Sequence, residues 1–254
     1  MALFIFAHQD DECWCFHEIL RLQNNGKKIK IVYLTSGTLD GSASAVRNAE
    51  SVAVLRKIGV PKENIFFLGT REKIRDSRLC EKLEIAFRSL LNLTNEIGIP
   101  DNLYFPAWEG GHQDHDAAHL VGIALAKHLR ILDQCYQFPL YTGAHLPSIL
   151  FRMFACLPEN GEPIVARIPW RDRIRFVRLC FFYRSQIKSW LGLFPFYLMH
   201  HIIRGTQSLQ HVSVDRIFCP PHAGILLYER RGMYNFKTFV QSAHSFLGHL
   251  SREK

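Results

Sequence analysis

Short apolar runs alternate with helix-patterned stretches through the first half of this chain, and that alternation admits few folds. Leu3 to Ala7, Ile29 to Thr35, Asn64 to Leu68 and Asn102 to Phe105 read as short buried strands, with Leu132 to Phe138 as a fifth. Between them lie helical stretches: one opening at Asp11 or Glu12 and stopped by Asn24-Asn25-Gly26, then Ser44 to Ile58, Leu79 to Ile97 and Asp114 to Leu129. Such alternation demands a parallel sheet with crossover helices. The expected fold is therefore α/β, a Rossmann-like, mostly parallel sheet flanked by helices. No Gly-x-Gly-x-x-Gly follows any of these strands and no Gly-x-x-x-x-Gly-Lys occurs, so neither a dinucleotide site nor a phosphate loop is supported. A length of 254 residues, 48% of them apolar and 21% charged, suits one domain over 1–254. Its expected parts are a metal-binding α/β core over 1–140 and an irregular elaboration over 141–254, packed on the substrate side.

Two clusters of histidine and carboxylate follow strands of that sheet. Ala7-His8-Gln9-Asp10-Asp11-Glu12 comes directly after the first apolar run, and Gly111-His112-Gln113-Asp114-His115-Asp116 follows the fourth. Both belong at the carboxyl edge of one sheet, where ligands bind, so residues far apart in sequence can meet. A catalytic zinc takes about three ligands from His, Asp or Glu and leaves a position for water, whose pKa falls toward ~7. In the first cluster one carboxylate can bind a cation while the other accepts a proton. His112 and His115 share a helical face, and either completes a two-histidine, one-aspartate set, leaving the other to donate to an oxyanion or protonate a leaving group. Asp114 is suited to orienting His112 or another imidazole through its ring N–H.

Ala-His-Gln-Asp-Asp-Glu followed by His-Gln-Asp-His resembles the zinc-dependent N-deacetylases of the LmbE-like and PIG-L superfamily, closely over about the first 140 residues and loosely beyond. Members remove N-acetyl or related acyl groups from amino sugars and glycoconjugates, among them glucosaminyl-phosphatidylinositol, thiol precursors and glycopeptide antibiotics. The resemblance implies His8, Asp11 and His115 as ligands of one zinc per chain, with Fe2+ or another divalent metal as substitutes. It implies Asp10 as general base and a protonated His112 that steadies the tetrahedral intermediate, with acetate and a free amine as products. Proline often stands in the family where this chain has Gln9 and Gln113, a change that alters loop rigidity and removes no ligand.

A second block, Thr35-Ser36-Gly37 followed by Arg47 and Glu50, also resembles the family and implies that Ser36 and Arg47 meet substrate. By spacing alone Arg47 and Glu50 form an exposed i,i+3 pair contributing about 0.2–0.5 kcal/mol. Asp76 falls where the family often has an aspartate that bonds sugar hydroxyls, and an N-cap ahead of Leu79 is its other reading. Two rivals to deacetylation remain on residue chemistry. A dinuclear metal phosphoesterase would hold two metals, and a non-catalytic metal-stabilised binding protein would need neither Asp10 nor His112.

A formal charge of +8 favours anionic partners, so the N-acetylated substrate is expected to have an anionic or lipid-linked carrier. Basic residues are dispersed outside one arginine-rich stretch after Trp170, without the aromatic interleaving of nucleic-acid binders, so no nucleic-acid partner is expected. Seven scattered cysteines, with Cys13 and Cys15 read as packing thiols, suit a reducing compartment, and no secretory signal is evident, so a cytoplasmic location is expected. Phe181 to Gly205 is aromatic-rich, broken by Pro195 and too short to span a bilayer. Core or a homo-oligomer interface is its favoured reading, with peripheral membrane contact the alternative. Gly224 to Glu229 resembles a late strand of some family members, and His222 precedes it. His119, His200, His201 and the other unassigned histidines are read as structural.

Overall fold

The computed structural model describes residues 1–252, with side chains described through residue 248. Its strands are β1 (Ala2–Phe6), β2 (Ile29–Tyr33), β3 (Ile65–Phe67), β4 (Asn102–Pro106), β5 (Cys135–Phe138), β6 (Tyr141–Thr142), β7 (Arg152–Met153), β8 (Ile164–Arg167) and β9 (Thr206–His211). Its α-helices are α1 (Phe16–Asn24), α2 (Ser44–Lys57), α3 (Leu68–Arg71), α4 (Leu83–Ile97), α5 (Gln113–Leu129), α6 (Trp170–Cys180), α7 (Ile187–Ile203), α8 (Leu227–Arg230) and α9 (Phe236–Arg252). The main sheet runs β3-β2-β1-β4-β5-β9-β8, and β6 pairs with β7 apart from it. The first five strands of the main sheet are parallel, while β9 and β8 extend it antiparallel.

Strand β1 is buried on both faces, which is why it reads as an unbroken apolar run instead of an alternation. Phe4 and Phe6 enter a core shared with α1, α2, α6 and α7. Leu3, Ile5 and Ala7 enter the opposite core with α4, α5 and α9. Residues two apart thus serve one layer, as the pleat requires. Across the β1–β4 pair Phe4 lies opposite Tyr104, their rings stacked with centroids 4.4 Å apart.

The order of strands reverses at β1. Strands β2 and β3 build outward from one side of it, and the chain then crosses back to lay β4 on the other. The crevice beyond the carboxyl ends of β1 and β4 is the topological switch point, where open α/β sheets bind ligands. Both histidine–aspartate clusters leave the sheet there.

Several elements differ from their sequence readings for local reasons. The first helix is divided into a 3-10 turn over Asp11–Trp14 and then α1, and the Asp11 and Glu12 carboxylates of that turn fold back to accept the N–H groups of Ala7, His8 and Asp10. A 3-10 turn over Leu132–Gln134 shortens β5. Gly224 to Glu229 forms no strand: α8 starts at Leu227, whose N–H bonds the Gly110 carbonyl. The C-terminal elaboration is more regular than expected, since β8 and β9 join the main sheet and α6, α7 and α9 cover its faces. Helix α7 is half core. It buries Trp190, Tyr197, His200 and His201 while leaving Leu191 73% and Ile203 70% exposed. No helix among the described residues is long and apolar enough to cross a membrane. All seven cysteines are free.

Candidate active site

The β1 carboxyl end turns sharply through Asp10, whose φ of 114° is a left-handed conformation. Such strain in a non-glycine residue persists only where neighbours over-determine it. Here Asp10 N–H donates to Glu12 at 2.9 Å, and the Arg47 guanidinium donates to the Asp10 carboxylate at 3.2 Å. Burial pushes the Asp10 carboxyl up to about 7, against the pull of Arg47 and with the help of Asp11 and Glu12. Asp11 faces the opposite balance. Burial would raise it, but the His115 charge and bonds from His115 and His8 hold it far below the usual carboxylate range. One Asp11 oxygen accepts N–H bonds from Ala7 and His8 at 3.0 and 2.8 Å, and the other lies 3.1 Å from His115 Nε2.

The second cluster is carried by the first turn of α5. His112 caps that helix, its Nδ1 accepting the Asp114 N–H at 3.1 Å, and Gln113 occupies the first helical position, where proline is favoured. The loop before it lies so close to β6 that a Cβ on Gly111 would sit 1.9 Å from the Tyr141 carbonyl oxygen. His112 was expected to carry a proton. Its surroundings oppose that: burial, with the charges of His8 and His115, pushes it well below the usual histidine range. With Nδ1 accepting, a neutral His112 carries its hydrogen on Nε2, available as a donor.

Donor atoms from His8, Asp11 and His115 lie within 4.8 Å of one another, and all three residues are buried. His8, Asp76 and His112 form a second group by the same measure, with Asp76 less buried. The groups share one imidazole, whose Nδ1 is 3.6 Å from Asp11 and whose Nε2 is 3.4 Å from Asp76 and 3.1 Å from Asp114. Burial would lower His8, but the Asp76 charge and bonds to Asp11 and Asp114 override it. Two imidazoles and a carboxylate held in its ionised form fit a divalent cation of the zinc type, with a coordination position left for water or substrate. His115 turns Nε2 to Asp11, the nitrogen it would offer to an ion there, while its buried Nδ1 has no protein partner.

Of the remaining sequence candidates, Arg47 is not in an exposed pair with Glu50. It is buried, bonded to the Gly37 and Gln9 carbonyls and to Asp10, while Glu50 accepts from Ser185. Gly37 has a φ of 71°, a left-handed backbone that favours glycine, and a Cβ there would also push back the ends of the Gln9 and Arg47 side chains. Asp76 is not an N-cap. Its carboxylate faces His8 and lies 3.9 Å from Arg47, and the N–H groups of Ser77 and Leu79 go to Asp114 instead. Asp114 thus orients His8, and it meets His112 only through its own backbone N–H. Ser36 lies at the end of β2 with its hydroxyl on the Thr38 carbonyl, outside the bonded cluster.

Sequence reasoning missed the supports. Glu12 accepts from both Asp10 N–H and Tyr183 Oη–H, the latter 171 positions away. Glu109 is buried and accepts the N–H groups of Leu140 and Tyr141, which brings the Tyr141 ring to 5.5 Å from that of His115. Glu12 stands in the first motif and was open to detection, whereas nothing near Tyr183 or Tyr141 marks either.

The switch-point crevice, with histidine and aspartate from two strand ends, defines a Rossmann-like α/β protein with a candidate metal centre. Residues 3–126, just under half of the chain and including both clusters, match the family described as PIG-L, GlcNAc-PI de-N-acetylase. Over those residues the chain is similar to the PIG-L, or LmbE-like, superfamily. No curated protein matches it by sequence. Among solved structures it shares its fold with a deacetylase of the teicoplanin biosynthesis pathway, 15% identical at a TM-score of 0.62, over 84% of this chain and 99% of that one. N,N'-diacetylchitobiose deacetylase from Pyrococcus horikoshii is similar at 20% identity and a TM-score of 0.57, over 82% of each chain. The A40926 pseudoaglycone deacetylase is similar at 16% identity and a TM-score of 0.59, over 84% of this chain and 96% of that one.

Proposed function

We propose that this chain is a metal-dependent hydrolase that removes an N-acetyl or similar N-acyl group from an amino sugar or glycoconjugate. The observation that carries this is the division of labour between adjacent carboxylates: Asp11 is ionised among His8 and His115, while Asp10 is withheld from them by Arg47. His8, Asp11 and His115 would hold one divalent cation. Zinc is the first choice, with Fe2+ or another divalent metal compatible with the same donors, and one similar structure is a zinc-inhibited form of teicoplanin deacetylase. Bound there, the cation supplies polarisation of the attacking water and of the acyl carbonyl.

The protein's own groups do the rest. Asp10 accepts the proton of the water that adds to the acyl carbon, held in position by Arg47 and the Glu12 contact. His112 presents Nε2–H to the oxyanion of the tetrahedral intermediate. The proton on Asp10 then passes to the departing nitrogen as the C–N bond breaks, giving a carboxylic acid, acetate for an acetyl substrate, and a free amine. Asp114 fixes the His8 ring. Asp76, the most solvent-open carboxylate of the cluster, is suited to a sugar hydroxyl. Both terminal nitrogens of Arg47 are taken by the Gly37 and Gln9 carbonyls and Asp10, and Ser36 is turned to Thr38, so both act on substrate through the loops they hold. An anionic or lipid-linked carrier fits the excess of positive charge.

The group His8, Asp76 and His112 gives the dinuclear phosphoesterase reading one specific observation of its own. Metal analysis combined with acetate release from a panel of N-acetylglucosaminyl compounds separates the two. One metal per chain with acetate released supports deacetylation, and two metals with phosphate ester cleavage overturns it.

A further inference from the structure

Between Trp170 and Arg204 the chain carries seven Lys and Arg residues against a single carboxylate, Asp172. This stretch is α6, α7 and their connection, and its outer side is not covered. Trp170 is 59% exposed, and Ile174, Met199 and Ile202 are half exposed or more. Three grooves run together across it. A cavity of about 510 Å³ lies between α7 and residues 146–155, one of about 450 Å³ lies at the start of α6, and one of about 200 Å³ lies between α6 and α7. The second shares Ile203 and Arg204 with the first, and Trp170 and Ile202 with the third. The walls are mostly apolar and include four exposed arginines, Arg152, Arg167, Arg178 and Arg204. No Asp or Glu lines any of the three.

A continuous apolar surface with only cations at its rim is electrostatically incomplete. We propose that the outer face of α6 and α7 docks on an anionic lipid bilayer, with the exposed isoleucines and Trp170 entering the headgroup boundary and the arginines meeting lipid phosphates. Large apolar side chains beside arginines that reach outward are the pattern of a helix lying in a bilayer interface. Charge opposes self-association through this face, because a second copy would set the same arginines against each other. No helix among the described residues is long and apolar enough to cross a membrane, so the contact proposed is with the bilayer surface. The face also neighbours the candidate active site: the rings of His115, Tyr141, Phe151 and Phe196 follow one another at 5.5, 5.8 and 5.0 Å, and Phe196 belongs to α7. The inference is independent of the reaction assigned above.

The test is co-flotation of the whole chain with vesicles of phosphatidylcholine alone or mixed with phosphatidylglycerol. Binding is expected only to the anionic vesicles and is expected to weaken at about 0.5 M salt, where the screening length shrinks to a few Å. Each arginine near an anionic surface is worth about a factor of 5, so Arg178→Ala with Arg204→Ala should weaken binding about 30-fold. Ile202→Ser with Ile203→Ser should weaken it at least about tenfold. Both double variants change exposed positions and should melt with the parent. Equal binding to both vesicle types, or binding to neither, overturns the proposal. So does a concentration-dependent dimer that the isoleucine double variant abolishes, which would make this face a contact between copies.

Discussion

Asp10 and Asp11 are chemically identical neighbours whose surroundings give them different work. The backbone turn at Asp10 points its carboxylate toward Arg47, while two N–H groups and His115 fix Asp11. Asn tolerates a left-handed backbone about as readily as Asp, so Asp10→Asn should fold normally and keep its metal. Turnover should fall about 10²- to 10⁴-fold through loss of the base. Metal content and kcat measured on one preparation decide this, and near-normal turnover removes Asp10 from the role. His112→Asn makes a complementary case, since Asn is a strong N-cap and should preserve the start of α5. Its amide falls short of the oxyanion, so kcat should drop about 10²- to 10³-fold while the melting temperature stays close to the parent's.

Strands and motifs differ in how far local sequence determines them. Strands β1 to β4 were legible because each is an apolar run between helices, and burial on both sheet faces leaves no other use for such runs. The two clusters were legible because they follow β1 and β4. What local sequence could not show is which distant groups complete an element. Asp76 looked like the cap before Leu79, but Asp114 on α5 supplies that function from 35 positions away. Strands β8 and β9 were missed because β8 is largely exposed, β9 is mostly polar (Thr206, Gln207, Ser208, Gln210 and His211 around Leu209), and the two are joined only by long-range pairing. The connection from β4 to α5 gives a test at this scale. Gly111→Ala would force β6 and this connection apart, lowering stability by about 1–3 kcal/mol and shifting His112. Urea unfolding should show the loss, and kcat should fall with it. Unchanged stability would mean that the two segments separate freely.

Over the whole molecule, stability depends on buried histidines outside the metal-binding cluster. His119 donates to the Pro106 carbonyl within the sheet–α5 core, and His201 bonds the Tyr197 carbonyl within α7. Burial pushes both down to about 4. The unfolded chain takes up protons at about 6.5, so the stability these groups contribute is complete above that pH and is lost as pH falls toward 4. The loss should reach about 2 kcal/mol for each by pH 5. Urea midpoints at pH 7.5 and 5 should differ accordingly, and His119→Gln should reduce the difference; a flat profile would contradict the neutral buried state. Glu12 leads to another kind of dependence. The turn that shapes the first motif is held by Tyr183, and Tyr197 reaches back to the Cys13 carbonyl in the same turn. Residues of the first motif are thus locked by residues made more than 170 positions later. The catalytic geometry belongs to a chain extended at least that far, so a fragment ending at β5 can hold every proposed metal ligand and still lack an aligned base.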